Sequence, residues 1–242
     1  MHGFTATADE MRPLGDALAH AGFPVVGVEL PGHGSEPGAL GAVGYREWVA
    51  CVDQAVDEVR RDGRRVAIAG MSMGALLALV AAAERGDAVS ALVLCGAALR
   101  LSNPLIGWLP VLERVPGVTR RWPMIPRRGE RGISDVHLRA DSPTYGEIPW
   151  RAVRELLALR SAASAALSRV RPPTLALHGR RDRSVPLSVL DQLRGALGGG
   201  WFEAHVLERS WHVVTMDVER ERVAELVVDF LSRVESTSAP GT

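Results

Sequence analysis

The chain of 242 residues is 47% hydrophobic and 23% charged, which is usual for a globular protein able to bury a sizeable core. Arg plus Lys and Asp plus Glu both number 28, so the net charge is zero and favours neither nucleic acid nor an anionic membrane as a partner. The longest apolar run, Ala75–Ala83, is far shorter than the roughly 20 residues that span a bilayer, and no basic and apolar leader opens the chain. We therefore expect a cytoplasmic protein without an integral membrane segment.

Helical and extended patterns alternate along most of the chain. Helices are predicted at Asp9–Ala21, Tyr45–Arg61, Ala75–Ala83 and Val218–Val234, and strands at Val25–Leu30, Arg65–Ala69, Val89–Leu94, Thr174–His178 and Ala204–Leu207. This alternation is typical of an α/β fold, in which a mostly parallel sheet carries helices on both faces. The last residues, 236–242, have no periodic pattern and are predicted to form a flexible tail.

The alternation breaks in the segment 99–169, which is rich in proline and arginine. Bulky apolar residues are scattered through it, namely Leu105, Trp108, Leu109, Trp122 and Met124. A long irregular segment in a compact domain is usually functional or disordered, and this one is too apolar for disorder. We interpret it as a lid that ends in a helix over Trp150–Arg169 and is inserted between two parts of the core, 1–98 and 170–235. A structural excursion without substrate contact is the alternative.

The pentapeptide Gly70-Met71-Ser72-Met73-Gly74 has the pattern G-x-S-x-G and lies between a predicted strand and a predicted helix. A strand, a tight turn and a helix are the context of a nucleophile elbow, in which the turn holds a reactive serine in a strained conformation. Small residues at Gly70 and Gly74 would let the strand and the helix approach closely. The pattern alone is common, but this context makes Ser72 the candidate nucleophile.

A serine hydroxyl attacks well only when a base takes its proton, and an acid must orient that base. His212 is the best placed of the seven histidines, because it follows the last strand and precedes the final helix. Asp182 comes just after the strand Thr174–His178, in a loop closed by a proline. Both positions fall at the carboxyl edge of the sheet, where the elbow also opens. The arginines beside Asp182 leave a structural ion pair as the alternative role for its carboxylate.

The negatively charged oxygen of a tetrahedral intermediate needs N–H donors. The backbone N–H of Met73, directly after the candidate nucleophile, is expected to be one of them. A second donor should come from a loop near the amino end of the chain. Phe4, in the sequence His2-Gly3-Phe4, fits that position.

Together these motifs resemble the α/β-hydrolase fold and, within it, the bacterial carboxylesterase and monoacylglycerol-lipase group. The resemblance rests on the His-Gly-Phe-Thr start, Pro31-Gly32-His33-Gly34, the elbow, the segment from His178 to Asp182 and the segment from Ser210 to Asp217. The order Ser72, Asp182, His212 along the chain is that of this fold. The resemblance implies that these three residues form a catalytic triad, that Phe4 and Met73 are the oxyanion donors, and that no metal or organic cofactor is required.

The amino terminus departs from the pattern of this fold. There the His-Gly-Phe loop follows an apolar strand in the middle of the sheet, whereas only Met1 precedes the loop here. The resemblance therefore predicts that one or more amino-terminal strands are missing. We favour a start upstream of Met1, and a rearranged, poorly active chain is the alternative.

The resulting hypothesis is hydrolysis of small carboxylic esters through an acyl-enzyme on Ser72. Candidate pocket residues are the apolar side chains of the insertion and Trp211, beside His212, and they favour an aliphatic acyl chain. The alternatives are a thioesterase, amidase or acyltransferase with the same triad, a catalytically weak ligand-binding homologue, and a structural or partner-binding protein. The sequence carries no prediction of the oligomeric state.

Overall fold

Four parallel strands form the main sheet of the protein, which a computed structural model describes for residues 1–61, 63–126, 132–134 and 145–238. In chain order the strands are β1 (Val66–Met71), β2 (Val89–Cys95), β3 (Met124–Pro126), β4 (Glu147–Pro149), β5 (Thr174–Gly179) and β6 (Phe202–Leu207). The main sheet has the order β1-β2-β5-β6, and β3 pairs with β4 in a separate antiparallel ladder within the insertion. The carboxyl ends of the four parallel strands therefore meet at one edge.

Nine helices connect and cover these strands in the described part of the chain. They are α1 (Arg12–His20), α2 (Pro37–Ala42), α3 (Tyr45–Arg60), α4 (Met73–Arg85), α5 (Leu109–Glu113), α6 (Val118–Arg121), α7 (Trp150–Ala166), α8 (Val189–Ala196) and α9 (Arg220–Ser238). Short 3₁₀ turns lie at Ala8–Met11, Gly86–Ala88, Pro104–Trp108 and Leu167–Arg169. Among the described residues, no helix has the length and apolar character needed to cross a membrane.

Each face of the sheet has its own apolar core. On one face, α3 buries Trp48, Val52 and Val56, whose spacing of four residues places them on one side of the helix. The central helix α4 packs between α3 and α7 and is buried at every position from Met73 to Ala82. On the other face, α1 and α9 pack together and against the sheet. The predicted α/β fold with helices on both faces is confirmed.

The strand predicted at Val25–Leu30 is wrong. The structure assigns no strand to this segment, and the side chains of Val25 and Val26 are 45% and 61% exposed. An extended apolar segment becomes a strand only when a neighbouring strand accepts its hydrogen bonds. Here β1 is the edge of the sheet, and a cleft of about 780 Å³ separates it from the segment at Val25–Val28.

Met1 occupies one end of this cleft and pairs with β1 as a parallel strand would. Its amino group donates to the carbonyl oxygen of Ala69 over 2.7 Å, and the N–H of Met71 donates to the carbonyl of Met1 over 3.0 Å. Burial lowers the pKa of this amino group to about 6. Since alternate residues of a strand point their backbone groups to the same side, the N–H and C=O of Ala67 face the open cleft.

The insertion begins with short helical turns and ends with the long helix α7, close to the predicted helix Trp150–Arg169. The described parts of the insertion also include β3, β4 and the short segment 132–134. At the carboxyl end, α9 continues through Ser238 and so includes residues 236–238 of the predicted tail 236–242. Residues 239–242 lie outside the described residues. The division into a core at 1–98 and 170–235 and a lid at 99–169 stays a prediction.

An additional apolar strand at the amino terminus is expected to stabilise the fold. An extension of about five alternating apolar and β-branched residues before Met1 would pair with β1 and fill the cleft. A gain of about 2 kcal/mol from main-chain pairing and burial corresponds to a rise of roughly 4–8 °C in Tm. Thermal unfolding followed by circular dichroism measures this change. The control extension carries proline at alternate positions, which removes the donors, and an equal rise with it would contradict strand pairing.

Candidate active site

Ser72 lies at the tight turn between β1 and α4 and has an unusual backbone conformation. Its φ is 53° and its ψ is −105°, a region that residues with a side chain rarely adopt. The turn is compact because Gly70 and Gly74 lack side chains. A Cβ on Gly70 would come within 2.2 Å of the backbone of Gly74, and one on Gly74 within 2.4 Å of the carbonyl oxygen of Met1. The geometry is that of the predicted nucleophile elbow.

The structure brings Ser72, His212 and Asp182 into one hydrogen-bonded chain. Ser72 Oγ lies 2.9 Å from His212 Nε2, and His212 Nδ1 lies 2.7 Å from Asp182 Oδ2. A carboxylate can only accept, so Nδ1 carries the hydrogen and donates to Asp182. With the hydrogen on Nδ1, Nε2 accepts the hydroxyl hydrogen of Ser72. These residues are 140 and 30 positions apart in the sequence, and the parallel strands bring them to one edge of the sheet.

The carboxylate of Asp182 is fixed by its own loop as well as by His212. Its Oδ1 accepts the backbone N–H groups of Ser184 and Val185 over 2.7 and 3.0 Å, and its side chain is 1% exposed. Burial acts to raise the pKa of Asp182, but the electrostatic interaction and hydrogen bond with His212, with the N–H of Val185, outweigh it and hold the pKa below the usual range. The group is therefore an anion at neutral pH. The alternative of an ion pair with the neighbouring arginines finds no support in these contacts.

His178 is a second imidazole beside Asp182. Its Nε2 lies 3.3 Å from Asp182 Oδ2 and donates to the carbonyl of Val185 over 3.1 Å. Burial lowers the pKa of His178, so the ring is neutral and shapes the loop that carries the acid. The loop with His212 crosses directly over this one. A Cβ on Gly179 would lie 2.0 Å from the carbonyl oxygen of Trp211, so glycine at position 179 lets the two loops meet.

The loop His2–Thr5 lies against Ser72. A Cβ on Gly3 would be 3.4 Å from Ser72 Cβ, and the N–H of Gly3 donates to Glu10 Oε2 over 2.6 Å. Thr5 has a φ of 67°, so both described non-glycine residues with positive φ lie in this neighbourhood. Met73 is the first residue of α4, where N–H groups lack partners within the helix. Met73 directly follows Ser72, and Phe4 follows Gly3, which packs against Ser72. Their role as oxyanion donors stays a prediction.

Glu10 is a residue of the site that the sequence did not reveal. It is 5% exposed, and its carboxylate fixes the loop that carries Phe4. A glutamate at the start of an amphipathic helix usually lies on the solvent side. Its burial follows from the hydrogen bond with Gly3, and no local sequence pattern predicts that contact.

The predicted pocket residues lie in different environments. Trp108 and Trp122 are 63% and 61% exposed, whereas Leu109, Met124 and Trp211 are partly buried. Trp211 stacks under the guanidinium of Arg183, whose Cζ is 4.8 Å from the ring centre. The side chain of Leu105 lies outside the described part of the structure. A substrate contact for any of these residues remains a prediction.

His2 and His33 form a buried pair beside the oxyanion loop. Their ring centres are 4.9 Å apart, and the side chain of His2 is inaccessible to solvent. His2 Nε2 accepts the N–H of Leu30, and His33 Nδ1 donates to the carbonyl of Pro31. Burial is the main cause that lowers the pKa of each ring to about 4, so both rings are neutral at pH 7. His33 thus packs beside the oxyanion loop from the loop Pro31–Gly34.

A family model described as "Serine aminopeptidase, S33" matches residues 1–219 of the chain. The protein belongs to that family. Its relatives include a thermostable monoacylglycerol lipase of Bacillus sp. strain H-257, 26% identical over 96% of this chain and 89% of the relative. A carboxylesterase of Bacillus subtilis strain 168 is 21% identical over 97% of this chain and 92% of the relative.

Two solved structures share the architecture of this S33 family member. One is described as "LipS and LipT, two metagenome-derived lipolytic enzymes increase the diversity of known lipase and esterase families". It has a TM-score of 0.84 and 27% identity, over 96% of this chain and 91% of that one. The Paleococcus ferrophilus monoacylglycerol lipase has a TM-score of 0.82 and 20% identity, over 97% and 93% of the two chains. The resemblance to the α/β-hydrolase fold and to the carboxylesterase and monoacylglycerol-lipase group is confirmed.

The buried His2–His33 pair is expected to make stability depend on pH. In the unfolded chain both rings take up protons below about pH 6.5, whereas in the fold they stay neutral down to about pH 4. The contribution of this pair to stability is therefore complete above pH 6.5 and falls as the pH drops towards 4, by on the order of 3 kcal/mol per ring. His33→Asn keeps a donor for Pro31 and removes one titrating group. Urea unfolding between pH 7.5 and 4.5 should show a shallower pH dependence of the unfolding free energy in this variant, because one of the buried groups that take up protons on unfolding is gone.

The control for this prediction is His20→Asn, because His20 is an exposed residue at the end of α1. Its substitution should leave the pH slope of the unfolding free energy unchanged. A slope in His33→Asn equal to that of the unsubstituted protein would contradict a neutral buried pair, whatever the absolute loss of stability.

Proposed function

We propose that the protein hydrolyses carboxylic esters through a covalent acyl-enzyme on Ser72. The observation that carries this proposal is the continuous chain of hydrogen bonds from Ser72 through His212 to Asp182, at the amino end of a buried helix. Membership of a serine-hydrolase family supports the reaction type. The names of the bacterial relatives, monoacylglycerol lipase and carboxylesterase, support an ester as the substrate.

In the first half-reaction Ser72 Oγ attacks the ester carbonyl while His212 Nε2 takes the hydroxyl proton. The ring becomes an imidazolium, which the carboxylate of Asp182 stabilises across the 2.7 Å contact. The tetrahedral intermediate then collapses, the bond to the alcohol breaks, and His212 Nε2 returns its proton to the departing alkoxide oxygen. The acyl group remains on Ser72.

In the second half-reaction water takes the place of the alcohol. His212 Nε2 removes one of its protons, the hydroxide attacks the acyl carbonyl, and Ser72 Oγ leaves with the proton returned by His212. The products are the free acid and the original enzyme. The base is neutral at the start of each half-reaction, so activity requires His212 unprotonated and Asp182 ionised.

The oxyanion of both intermediates needs donors that point to the same side of Ser72. We assign this role to the N–H groups of Met73 and Phe4. Met73 opens α4, whose partial positive end favours a negative charge. The loop with Phe4 is supported by the hydrogen bond from Gly3 to Glu10 and by the contact with Ser72. Each donor of this kind is worth about 10²–10³ in turnover.

The insertion supports an aliphatic acyl chain as the preferred substituent. Its exposed tryptophans, Trp108 and Trp122, present apolar surface in a segment that we propose to act as a lid. Comparing the turnover of p-nitrophenyl esters of increasing chain length with that of matched thioesters and anilides separates an esterase from a thioesterase or amidase. A location in the cytoplasm and the lack of a nucleic-acid partner remain proposals that rest on composition.

A fluorophosphonate probe is expected to label the protein once, at Ser72. The phosphonyl group is attacked as an ester carbonyl is, and the adduct is stable, so peptide mass spectrometry identifies the modified residue. Ser72→Ala should abolish labelling and lower kcat by roughly 10⁶-fold. Ser232→Ala is the matched control, because Ser232 lies on the exposed face of α9 and bonds its own helix. Labelling that persists in Ser72→Ala would rule out the proposed nucleophile.

Asp182→Asn is expected to lower kcat by on the order of 10⁴-fold with little effect on KM. The asparagine oxygen can still accept the N–H groups of Ser184 and Val185, but its amide faces His212 Nδ1 with a donor. The ring then turns to the tautomer protonated at Nε2, which cannot accept the Ser72 proton. Steady-state kinetics with a p-nitrophenyl ester measure the loss. Asp191→Asn, at an exposed ion pair with Arg194, is the control, and similar rates for both variants would exclude Asp182 as the orienting acid.

A further inference from the structure

Asp217 is a fully buried carboxylate that the proposed reaction does not use. It lies in the loop between His212 and α9 and has no solvent exposure. Its Oδ2 accepts the backbone N–H of Trp211, the residue before His212, over 2.7 Å. Its Oδ1 accepts the N–H of Val218 over 2.9 Å. The carboxylate therefore closes the histidine loop upon itself.

The same carboxylate also holds a segment of the insertion. Asp217 Oδ1 accepts the N–H of Ser134 over 3.0 Å and the hydroxyl of Ser134 in a short hydrogen bond. Ser134 is 83 residues away in the sequence, so this contact ties two separate parts of the chain. A buried anion requires its hydrogen bonds, because leaving one oxygen without donors costs the full desolvation of that charge. The carboxylate thus favours the arrangement in which both segments are in place.

Two further contacts bring the insertion against His212 itself. The N–H of Val213, the residue after His212, donates to the carbonyl of Gly132 over 2.8 Å. A Cβ on Gly132, whose φ is 75°, would lie 3.0 Å from His212 Cβ. Ile133, with no solvent exposure, packs with Val213 and Met216 in a small apolar cluster. The segment Gly132–Ser134 is therefore held by backbone pairing, apolar packing and the carboxylate.

These contacts hold the chain on both sides of His212, the proposed base. The peptide before His212 is held by Asp217, and the peptide after it is held by Gly132 of the insertion. Displacing the segment Gly132–Ser134 would remove the bond to Val213 and both bonds of Ser134 to Asp217. The histidine loop would then lose its supports on the insertion side. The ring of His212 must stay within 2.9 Å of Ser72 and 2.7 Å of Asp182, so a small shift of this loop breaks the chain of hydrogen bonds.

We propose that Asp217 is a positioning residue that couples the insertion segment Gly132–Ser134 to the catalytic histidine loop. The insertion in this arrangement does more than cover the substrate, because its placement sets the geometry of the base. The inference rests on the proposed function, since it takes His212 as the base that activates Ser72.

Glu219 provides a matched comparison on the same loop. Its Oε2 accepts the N–H groups of Arg209 and Ser210, both over 2.8 Å, and the hydroxyl of Ser210 over 2.7 Å. It therefore supports the start of the histidine loop with contacts of the same chemistry. None of these three bonds reaches the segment Gly132–Ser134. Glu219→Gln consequently measures how much kcat falls when this loop is loosened while its link to the insertion is intact.

The test compares Ser134→Ala, Asp217→Asn, the double variant and Glu219→Gln. Each is assayed well below its Tm with p-nitrophenyl butyrate, and rates are normalised to the fraction of sites that a fluorophosphonate titrates. Asp217→Asn turns one acceptor into a donor, so we expect kcat to fall roughly 10- to 100-fold with KM unchanged. Ser134→Ala should lower kcat by a smaller factor. The double variant should be no slower than Asp217→Asn, because the Ser134 hydroxyl acts through that carboxylate.

The outcomes separate this inference from the proposed function. Ser134→Ala leaves Asp217 in place and carries the test if Asp217→Asn does not fold. Three results would overturn the coupling while labelling at Ser72 still supports the esterase. The first is a normal kcat in both Ser134→Ala and Asp217→Asn, and the second is a double variant whose loss is the product of the two single losses. The third is a loss of kcat in Glu219→Gln equal to that in Asp217→Asn. An unsubstituted protein that neither labels at Ser72 nor turns over the ester would overturn the proposed function, and the inference with it.

Discussion

The close contact between the end of β1 and the start of α4 is the constraint on which the site depends. No side chain fits at Gly70, which meets the backbone of Gly74, or at Gly74, which meets the carbonyl oxygen of Met1. Ser72 has a positive φ between them. A conformation of this kind costs of the order of 1–3 kcal/mol and persists only when its surroundings fix it. Helix α4 supplies that support, since its first ten residues are buried between the sheet, α3 and α7. The packing of the larger apolar core thus stabilises the strained conformation of Ser72.

Buried or partly buried carboxylates organise the loops around this turn. Glu10 accepts one backbone N–H of the loop that carries Phe4, and Asp182 accepts two from its own loop. Asp217 accepts one backbone N–H from the histidine loop and one from the insertion, and Glu219 accepts two from the histidine loop. Loops lack the regular pairing of helices and strands, so their backbone N–H groups need other acceptors. A carboxylate offers several lone pairs and a full charge, which makes each bond stronger than one to a neutral group. Loops of irregular sequence can in this way hold distances as short as those around His212.

The sequence predicts the positions that topology controls. Ser72, Asp182 and His212 each follow a strand whose apolar pattern is readable, and parallel strands necessarily carry such residues to one edge. The sequence does not predict the contacts of Glu10, Asp217 and Gly132–Ser134, because they join loops far apart in the chain and depend on the path of each loop. At Val25–Leu30 the sequence pattern predicts a strand that the structure lacks. Its composition suits a strand, but strand formation needs a partner, and the neighbouring position beside β1 is an open cleft.

That open cleft also bears on how copies of this chain behave together. Natural sheets protect their edges with charges, prolines or covering segments, because an exposed row of backbone groups is a template for another strand. The cleft beside β1 is lined largely by valine, alanine and leucine, and offers the backbone groups of Ala67 between them. An apolar segment of a second molecule that added to β1 there would form hydrogen bonds of the same kind as those that Met1 makes at the end of the strand. Strand addition of this kind would use the edge of the sheet, at a distance from the chemistry of Ser72.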